Sequence, residues 1–225
     1  MCGRFSLTKQ EEAINQRFHT HGSHAPYVPR YNGAPSQNMA VITNHDSQHI
    51  SHFKWGLVPS WSKDPQIGSR LINARAESID QKASFKTSFI QRRCLVLSDG
   101  FFEWKKDRNK TAYYISLKDH KLFAMAGLWD VWADAEGKEL NSFTIITTEP
   151  NSMMKSIHNR MPAILQIDQE EEWLQNNNRI DLKKILRPYP ENEMQNWKVS
   201  PLVNSPINDS QEVIRRFIDP QVSLF

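Results

Sequence analysis

The chain lacks the features that mark secreted and membrane proteins. Its 225 residues include only two cysteines, Cys2 and Cys94, so a disulfide framework is not expected and both thiols are predicted to be reduced. No run of about 18 apolar residues is present, so no transmembrane helix is predicted. The start of the chain has no basic segment followed by an apolar one, so no signal peptide is predicted. These absences predict a cytoplasmic protein that does not bind membranes.

Internal repeats, low-complexity tracts and linkers are also absent from the sequence. A hydrophobic fraction of 39% and a charged fraction of 24% are typical of an ordinary globular protein. Because nothing divides the chain, we expect one domain over residues 1–225, acting as a monomer. The net charge of +3 is compatible with nucleic-acid binding but is weak support for it, because local clustering of charge matters more.

Strand and helix patterns interleave without the regular order of a doubly wound fold. Residues 142–148 (SFTIITT) give the clearest strand, and residues 129–139 are predicted to form a loop. Thr8 and Glu11 predict a capping box at the start of a helix. The predicted fold class is α+β: a single domain with a largely antiparallel, β-rich, barrel-like core flanked by short helices. The motifs described below occupy about residues 2–165 of it.

The first five residues (MCGRF) offer an unusual chemical group. Methionine aminopeptidase removes Met1 when the next side chain is small, as that of Cys2 is. The chain would then begin with a thiol and a free α-amine on adjacent carbons, which together close a thiazolidine ring on an aldehyde. The α-amine has an ordinary pKa of about 7.7–8.0, so part of it is neutral near pH 7 without any tuning. The simpler alternative is a cysteine without a role, because chain termini are usually frayed and functionless.

Three polar residues stand where core residues are expected. Glu103 lies in an aromatic strand and, by period-two alternation, shares a face with Phe101. Asn73 lies between two apolar residues, and His158 follows an apolar helix. Each has a simpler explanation that stays open: Glu103 as a salt-bridged strand residue, Asn73 as the amide of a turn and His158 as a helix cap. With a cysteine at the N-terminus, the same residues supply what imine chemistry needs: a nucleophile, a carboxylate, a polar positioner and an imidazole.

Arginines and aromatic residues recur near these positions in the sequence. Arginine suits bidentate phosphate contacts, and aromatic rings suit stacking on bases. Most of the seven tryptophans are nevertheless expected to build core. The residues in question are Arg4, Arg70, Arg75, Arg92, Arg93, Arg160, Trp55, Trp61, Phe101 and Trp104.

One polar loop, residues 19–30, contains His19, His21 and His24. Three histidines raise the question of a metal site. No cysteine or carboxylate in the loop completes a ligand set, so a solvated loop is favoured. We therefore predict no metal and no other cofactor.

Six short motifs, in order, resemble the SOS response-associated peptidase family, whose members process abasic sites in DNA. Their order and spread over the chain make the resemblance far more specific than any one motif. After about residue 165 the similarity is loose. The motifs are residues 1–5 (MCGRF), 31–35 (YNGAP), 55–59 (WGLVP), 73–77 (NARAE), 99–104 (DGFFEW) and 158–162 (HNRMP).

The resemblance implies a protein of the DNA damage response that senses abasic sites in single-stranded DNA and crosslinks to them through a thiazolidine. It implies Cys2 as the nucleophile and Asn73 as a residue that positions the terminus. It implies Glu103 and His158 in ring opening, imine formation and stabilisation of the linkage. It also implies two further activities. One is a peptidase activity that removes the protein's own leading residue, and the other is lyase activity at the abasic site. The implied DNA contacts are Arg4, Asn32, Trp61, Arg75 and Arg160.

The sequence departs from the family pattern at two positions. Some members carry a second tryptophan beside the equivalent of Trp61, and here that position is Ser62, which predicts a smaller stacking wedge. Gly33 stands where a branched residue is common, which is expected to loosen that turn.

Two other functions compete with this one. An N-terminal-nucleophile amidohydrolase would also need a free Cys2 terminus, but it would not need arginines that bind phosphate. A non-catalytic module for binding single-stranded DNA would leave Cys2 without a role.

Overall fold

The two longest strands form an antiparallel hairpin on which the core is built. They are β9 (Phe123–Ala133) and β10 (Glu139–Thr148), paired from Glu139 opposite Ala133 to Ile145 opposite Gly127. This computed structural model describes residues 2–175 and 178–218. Residues 129–139 are therefore not the predicted loop. Strand pairing continues through most of that segment, and only a short turn remains, in which Asp134 accepts hydrogen bonds from the backbone N–H groups of Glu136 and Lys138.

The two strands of this hairpin and three further strands close into a five-stranded barrel. The strand order is β10, β4 (Ser51–Trp55), β3 (Asn38–Thr43), β6 (Arg93–Ser98), β9 and back to β10. The pairing of β4 with β10 is parallel, and the other four pairings are antiparallel. The α+β class and the largely antiparallel, barrel-like core are confirmed.

Strands β3, β6 and most of β9 are buried on both faces, which is why their sequences are almost continuously apolar. Alternate side chains point to opposite faces. In β6, for example, Leu95 and Leu97 pack with the helices, whereas Cys94 and Val96 pack with a second sheet.

The second sheet holds the start of the chain in place. Its order is β12 (Met194–Lys198), β8 (Ala112–Leu117), β7 (Gly100–Trp104), β1 (Phe5–Leu7) and β2 (Arg30–Gly33). Strand β1 lies between β7 and β2, with Phe5 opposite both Phe101 and Gly33. The N-terminal segment is thus fixed on both sides by backbone hydrogen bonds.

Two short strands extend the β10 side of the barrel. Strand β5 (Asn73–Arg75) pairs in parallel with β10, and β11 (Met161–Pro162) pairs with it in antiparallel. The motifs that contain Asn73 and His158 are thereby brought to the same strand.

The helices are short and cover the barrel. They are α1 (Glu11–Phe18), α2 (Ala83–Gln91), α3 (Ser152–Lys155), α4 (Ile167–Gln175) and α5 (Arg179–Ile185). Among the described residues, no helix has both the length and the apolar character needed to span a membrane.

The predicted capping box of α1 is wrong. The helix begins at Glu11 after Gln10, which makes no side-chain cap. Thr8 instead donates both its backbone N–H and its hydroxyl to the buried carboxylate of Asp99 (2.7 and 2.6 Å). A charge-assisted pair of hydrogen bonds to a residue distant in sequence outweighs a local cap.

The departure at Gly33 does not loosen a turn. Gly33 is buried within β2, and the side chain of Met39 occupies the space of its missing Cβ: a Cβ built there would lie 2.3 Å from Met39 Cε.

Arg93 is a buried cation that secures the ends of two helices. Its guanidinium donates to the carbonyl oxygens of Phe89 and Ile90 in α2 and of Trp173 and Leu174 in α4. These are C-terminal carbonyls, which otherwise have no partner within their helix and carry the negative end of its dipole. Arg93 therefore acts in folding and is not available to bind phosphate.

We expect Arg93→Met to lower the free energy of unfolding by about 3 kcal/mol, because several buried carbonyls lose their donor. Arg108→Met, at an exposed position, is the control and should change it by less than about 0.5 kcal/mol. Urea denaturation followed by circular dichroism measures both. Equal effects of the two substitutions would contradict the anchoring role of Arg93.

Candidate functional site

Cys2 is completely buried at the junction of the two sheets. The pairing of β1 with β7 and β2 places it beside Phe5 and Phe101 in the core face that also contains Met154 and Ile157. The Cys2 thiol lies 3.9 Å from the carbonyl oxygen of Arg4. Burial and the nearby Glu103 raise the pKa of this thiol well above its ordinary value. The thiol is therefore neutral in the resting structure.

Asn73 holds the backbone of Cys2. Its side-chain Nδ2 donates to the Cys2 carbonyl oxygen at 2.8 Å. Strand β5 and its pairing with Ile145 of β10 bring Asn73 to this position. Within the described part of the chain, the Asn73 Oδ1 atom is buried and accepts no hydrogen bond. A free acceptor thus lies next to the residue that carries the nucleophile.

Glu103 and His158 form a buried acid–base pair. Glu103, on β7, is 2% exposed, and its Oε1 lies 3.8 Å from Nδ1 of His158, which follows α3. Burial raises the pKa of Glu103 to about 7. Burial also lowers the pKa of His158, and the positive charges of Lys106 and Arg160 lower it further. The predicted alternation, with Glu103 on the Phe101 side of the strand, agrees with this placement.

The backbone of Arg160 makes two contacts with the His158 imidazole. Its N–H nitrogen lies 3.1 Å from His158 Nδ1, and its carbonyl oxygen lies 3.3 Å from the same atom. Nδ1 can therefore accept from the N–H when it is unprotonated or donate to the carbonyl when it is protonated, which suits a group that takes up and releases a proton.

Arg160 links two of the sequence motifs. Its guanidinium forms a bidentate pair with Glu77 (2.6 and 3.0 Å) and donates to the Thr147 carbonyl oxygen (2.5 Å). The pairing lowers the pKa of Glu77. Sequence reasoning gave Glu77 no role. Its position two residues after Arg75, in a motif shared with Asn73, was the available signal.

Arg4 and Asn32 are engaged within the protein. Arg4 Nη1 donates to Asn32 Oδ1 and to the Val203 carbonyl oxygen, both at 2.8 Å. Asn32 is fully buried, and its amide donates to the carbonyl oxygens of Val203, Ser205 and Asn208. Asn32 therefore anchors the segment that follows β12. Its contact with DNA stays a prediction, as does that of Arg4.

Trp61 and Arg75 lie at the surface. Trp61 is 57% exposed, in a loop held to the barrel by Trp132, whose Nε1 donates to the Ser62 carbonyl oxygen at 2.7 Å. Ser62, where some family members carry tryptophan, closes a turn through its hydroxyl, which donates to the Asp64 carbonyl oxygen. Arg75 is exposed at the end of β5.

The structure thus brings together the four predicted catalytic residues. Of the five predicted DNA contacts, Arg160 contacts His158 through its backbone, Arg75 is on the strand of Asn73, and Arg4 is two residues after Cys2. Two other arginines considered in the sequence have internal partners: Arg92 pairs with Asp130 at 2.8 Å, and Arg93 is buried. The described residues arrange a nucleophile, an amide that orients it and two proton-transfer groups around one buried point.

A model of the SOS response associated peptidase (SRAP) family matches residues 1–206. The chain is 43% identical over 221 residues to the abasic site processing protein YoqW of Bacillus subtilis, covering 95% of this chain and 99% of that protein. It is 31% identical to the abasic site processing protein HMCES of Xenopus tropicalis, covering 88% of this chain and 69% of that protein.

A solved structure of a protein from Bacteroides thetaiotaomicron matches the fold with a TM-score of 0.89 at 30% identity, covering 96% of this chain and all of that one. The similarity extends well beyond the six motifs and includes the region after residue 165, where the sequence resemblance was loose. The chain therefore belongs to the SOS response-associated peptidase family.

Proposed function

We propose that this protein captures abasic sites in single-stranded DNA by forming a thiazolidine between the Cys2 terminus and the C1′ aldehyde of the sugar. The observation that carries the proposal is the buried Cys2 held by Asn73 beside the Glu103–His158 pair. Relatives that are named abasic site processing proteins support the choice of substrate. Removal of Met1, which lies outside the described residues, is part of the proposal.

The first step is opening of the abasic sugar to its aldehyde. One proton leaves the C1′ hydroxyl and another reaches the ring oxygen. A carboxyl group with a pKa of about 7 is populated in both protonation states near neutral pH, so Glu103 can accept one proton and return another. The free Oδ1 of Asn73 is an acceptor for a sugar hydroxyl or for the terminal amine.

The second step joins the Cys2 amine to C1′. Nitrogen attacks the aldehyde carbon, the carbinolamine loses one water with the help of the acid–base pair, and an imine results. Because burial keeps the Cys2 thiol protonated, the amine is the first nucleophile and the thiol follows it.

The third step closes the ring. Sulfur bonds to the imine carbon, and the thiol proton ends on the nitrogen. The overall change consumes one aldehyde, one amine and one thiol and releases one water. Ring closure competes with removal of a C2′ proton from the imine, which would expel the 3′ phosphate as a lyase does. The balance between the two decides whether the strand is held or cut.

The same groups account for a self-processing peptidase. Glu103 and His158 lie next to the residue whose amino group must be released, and a general base there can activate water for hydrolysis of the Met1–Cys2 peptide bond. This activity and the lyase activity are parts of the proposal.

A cationic hairpin beside the site is suited to the DNA backbone. The β7–β8 turn exposes Lys105, Lys106, Arg108 and Lys110, and the carboxylate of Asp107 is used to close the turn by accepting from Asn109 and Thr111. Lys106 is close enough to act on the pKa of His158. These cations can contact the phosphates of a strand that reaches the site, and the exposed Trp61 elsewhere on the protein offers a ring for stacking on a base.

We expect Cys2→Ala to abolish the adduct that survives denaturing electrophoresis with abasic single-stranded DNA, while retaining non-covalent binding. Cys94→Ala is the matched control, because Cys94 is equally buried but lies in β6, and it should form the adduct. If wild type binds without crosslinking, the protein is a binding module. If it does not bind DNA at all, the amidohydrolase function becomes the better account.

We expect Glu103→Gln to lower the rate of adduct formation by at least about 10²-fold, because glutamine cannot transfer protons. The rate is measured by single-turnover crosslinking on abasic single-stranded DNA. Glu136→Gln, in an exposed turn, should leave that rate unchanged.

We also expect Glu103→Gln to stabilise the fold at alkaline pH relative to wild type. The pKa of Glu103 rises from about 4.5 unfolded to about 7 folded, so its stabilising contribution is full below the unfolded pKa and is lost as the pH rises through 7. The gain from the substitution should therefore grow between about pH 5 and about pH 8, by up to about 3 kcal/mol. Urea denaturation at both pH values measures it. A gain independent of pH would contradict the raised pKa.

We expect Lys105→Ala with Lys106→Ala to weaken binding of single-stranded DNA and to reduce its salt dependence by roughly one to two units of slope. Lys82→Ala with Lys86→Ala, at two exposed positions at the start of α2, is the control of equal charge and should change neither quantity. Fluorescence anisotropy over a range of salt concentrations measures both. An unchanged salt slope in the double variant would remove the hairpin from the DNA interface.

A further inference from the structure

Six of the eight histidines of the chain lie between residues 19 and 52. The proposed DNA chemistry uses none of them. Five of them occupy two segments, the loop after α1 and the connection from β3 to β4, and His52 lies in β4. Backbone hydrogen bonds join these segments: His21 N–H to the Gln48 carbonyl (2.7 Å), Ile50 N–H to the Gly22 carbonyl (2.8 Å) and His24 N–H to the Ile50 carbonyl (3.0 Å). The side chains between the segments are therefore held in a defined arrangement.

Three of these side chains converge on one point. His24 Nε2 lies 2.8 Å from Asp46 Oδ2, and His49 Nδ1 lies 3.1 Å from Asp46 Oδ1. The three ligand atoms all lie within 4.8 Å of one another. The rings of His24 and His49 stack at 4.8 Å, and the ring of His21 approaches that of His49 edge-on at 6.0 Å. The carboxylate that loop 19–30 lacks in the sequence is supplied by the neighbouring connection.

The spacing of these atoms fits a transition metal. Nitrogen and oxygen ligands of tetrahedral zinc lie about 2.0–2.2 Å from the ion and hence about 3.3 Å from each other. Measured to one carboxylate oxygen, Asp46 Oδ2, the two nitrogens lie at 2.8 and 3.2 Å, within about half an ångström of that separation. The two imidazole nitrogens lie within 4.8 Å of each other, and rotation of the two partly exposed side chains brings them onto a shared ion. Two imidazoles and one carboxylate are ligands that suit divalent zinc, and they leave a fourth position for water.

We propose that His24, Asp46 and His49 bind one divalent transition-metal ion, with Zn²⁺ as the probe. The side chain of His24 is 56% exposed and those of Asp46 and His49 are 35% and 39% exposed, so the ion exchanges with solvent and is not locked in the fold. Bound there, the ion links the loop after α1 to the β3–β4 connection by metal–ligand bonds, in addition to the backbone hydrogen bonds. The site shares no residue with the Cys2 centre.

The test uses the untagged full chain carrying Cys2→Ser, because an N-terminal thiol and amine would themselves bind zinc. Calorimetric titration with Zn²⁺ should give one site per chain. Asp46→Asn and His49→Gln should each weaken it more than about tenfold. His45→Gln, an exposed histidine of the same connection whose ring packs on Trp129, is the matched control and should leave the affinity unchanged.

A second measurement separates ligation from folding. The variants should have the same melting temperature as their parent in the presence of EDTA, and only proteins that keep the three ligands should gain melting temperature when Zn²⁺ replaces the chelator. Absence of a zinc site tighter than about millimolar, or equal weakening by His45→Gln and His49→Gln, would overturn the proposal and leave Asp46 as a plain ion-pair partner of two histidines.

Discussion

The structure depends on the burial of its N-terminal segment, residues 2–7. Strand β1 is paired on both sides, with β7 and with β2, so the residue that precedes it by three positions is held within the core. The hydrogen bond from Asn73 to the Cys2 carbonyl oxygen restrains the backbone of Cys2 further. Chain ends are usually mobile because few contacts repay the entropy of ordering them. Here two strand pairings and a buried apolar face repay it.

Burial also sets the chemistry of the site. The same removal of water keeps the Cys2 thiol protonated, moves the pKa of Glu103 to about 7 and lowers that of His158. Each shift favours the neutral form of its group. Such a site carries little fixed charge. In the proposed function, attraction of a DNA strand depends on the exposed cations of the protein, such as Arg75 and those of the β7–β8 hairpin. The proposal thus assigns proton transfer to the interior and phosphate binding to the surface.

Much of this arrangement was predictable from the sequence because it follows from local patterns. Period-two alternation placed Glu103 correctly beside Phe101, and interleaved strand and helix signals gave the α+β class. The predictions that failed were decided by tertiary contacts and strand pairing. Thr8 binds Asp99 and does not cap α1, and residues 129–139 extend two strands because β9 and β10 pair with each other. The carboxylate near His24 comes from another segment of the chain. No spacing in the sequence reports such contacts.

The central claim is that the Cys2 terminus, amine and thiol together, reacts with the aldehyde. Mass spectrometry of the adduct with abasic single-stranded DNA, after nuclease and protease digestion, tests it most directly. The account predicts an N-terminal peptide that begins at Cys2, carries the sugar with the loss of one water, and has a thiol that no longer reacts with an alkylating reagent. A sugar attached to a lysine, a peptide that retains Met1, or a Cys2 thiol that still alkylates would contradict it.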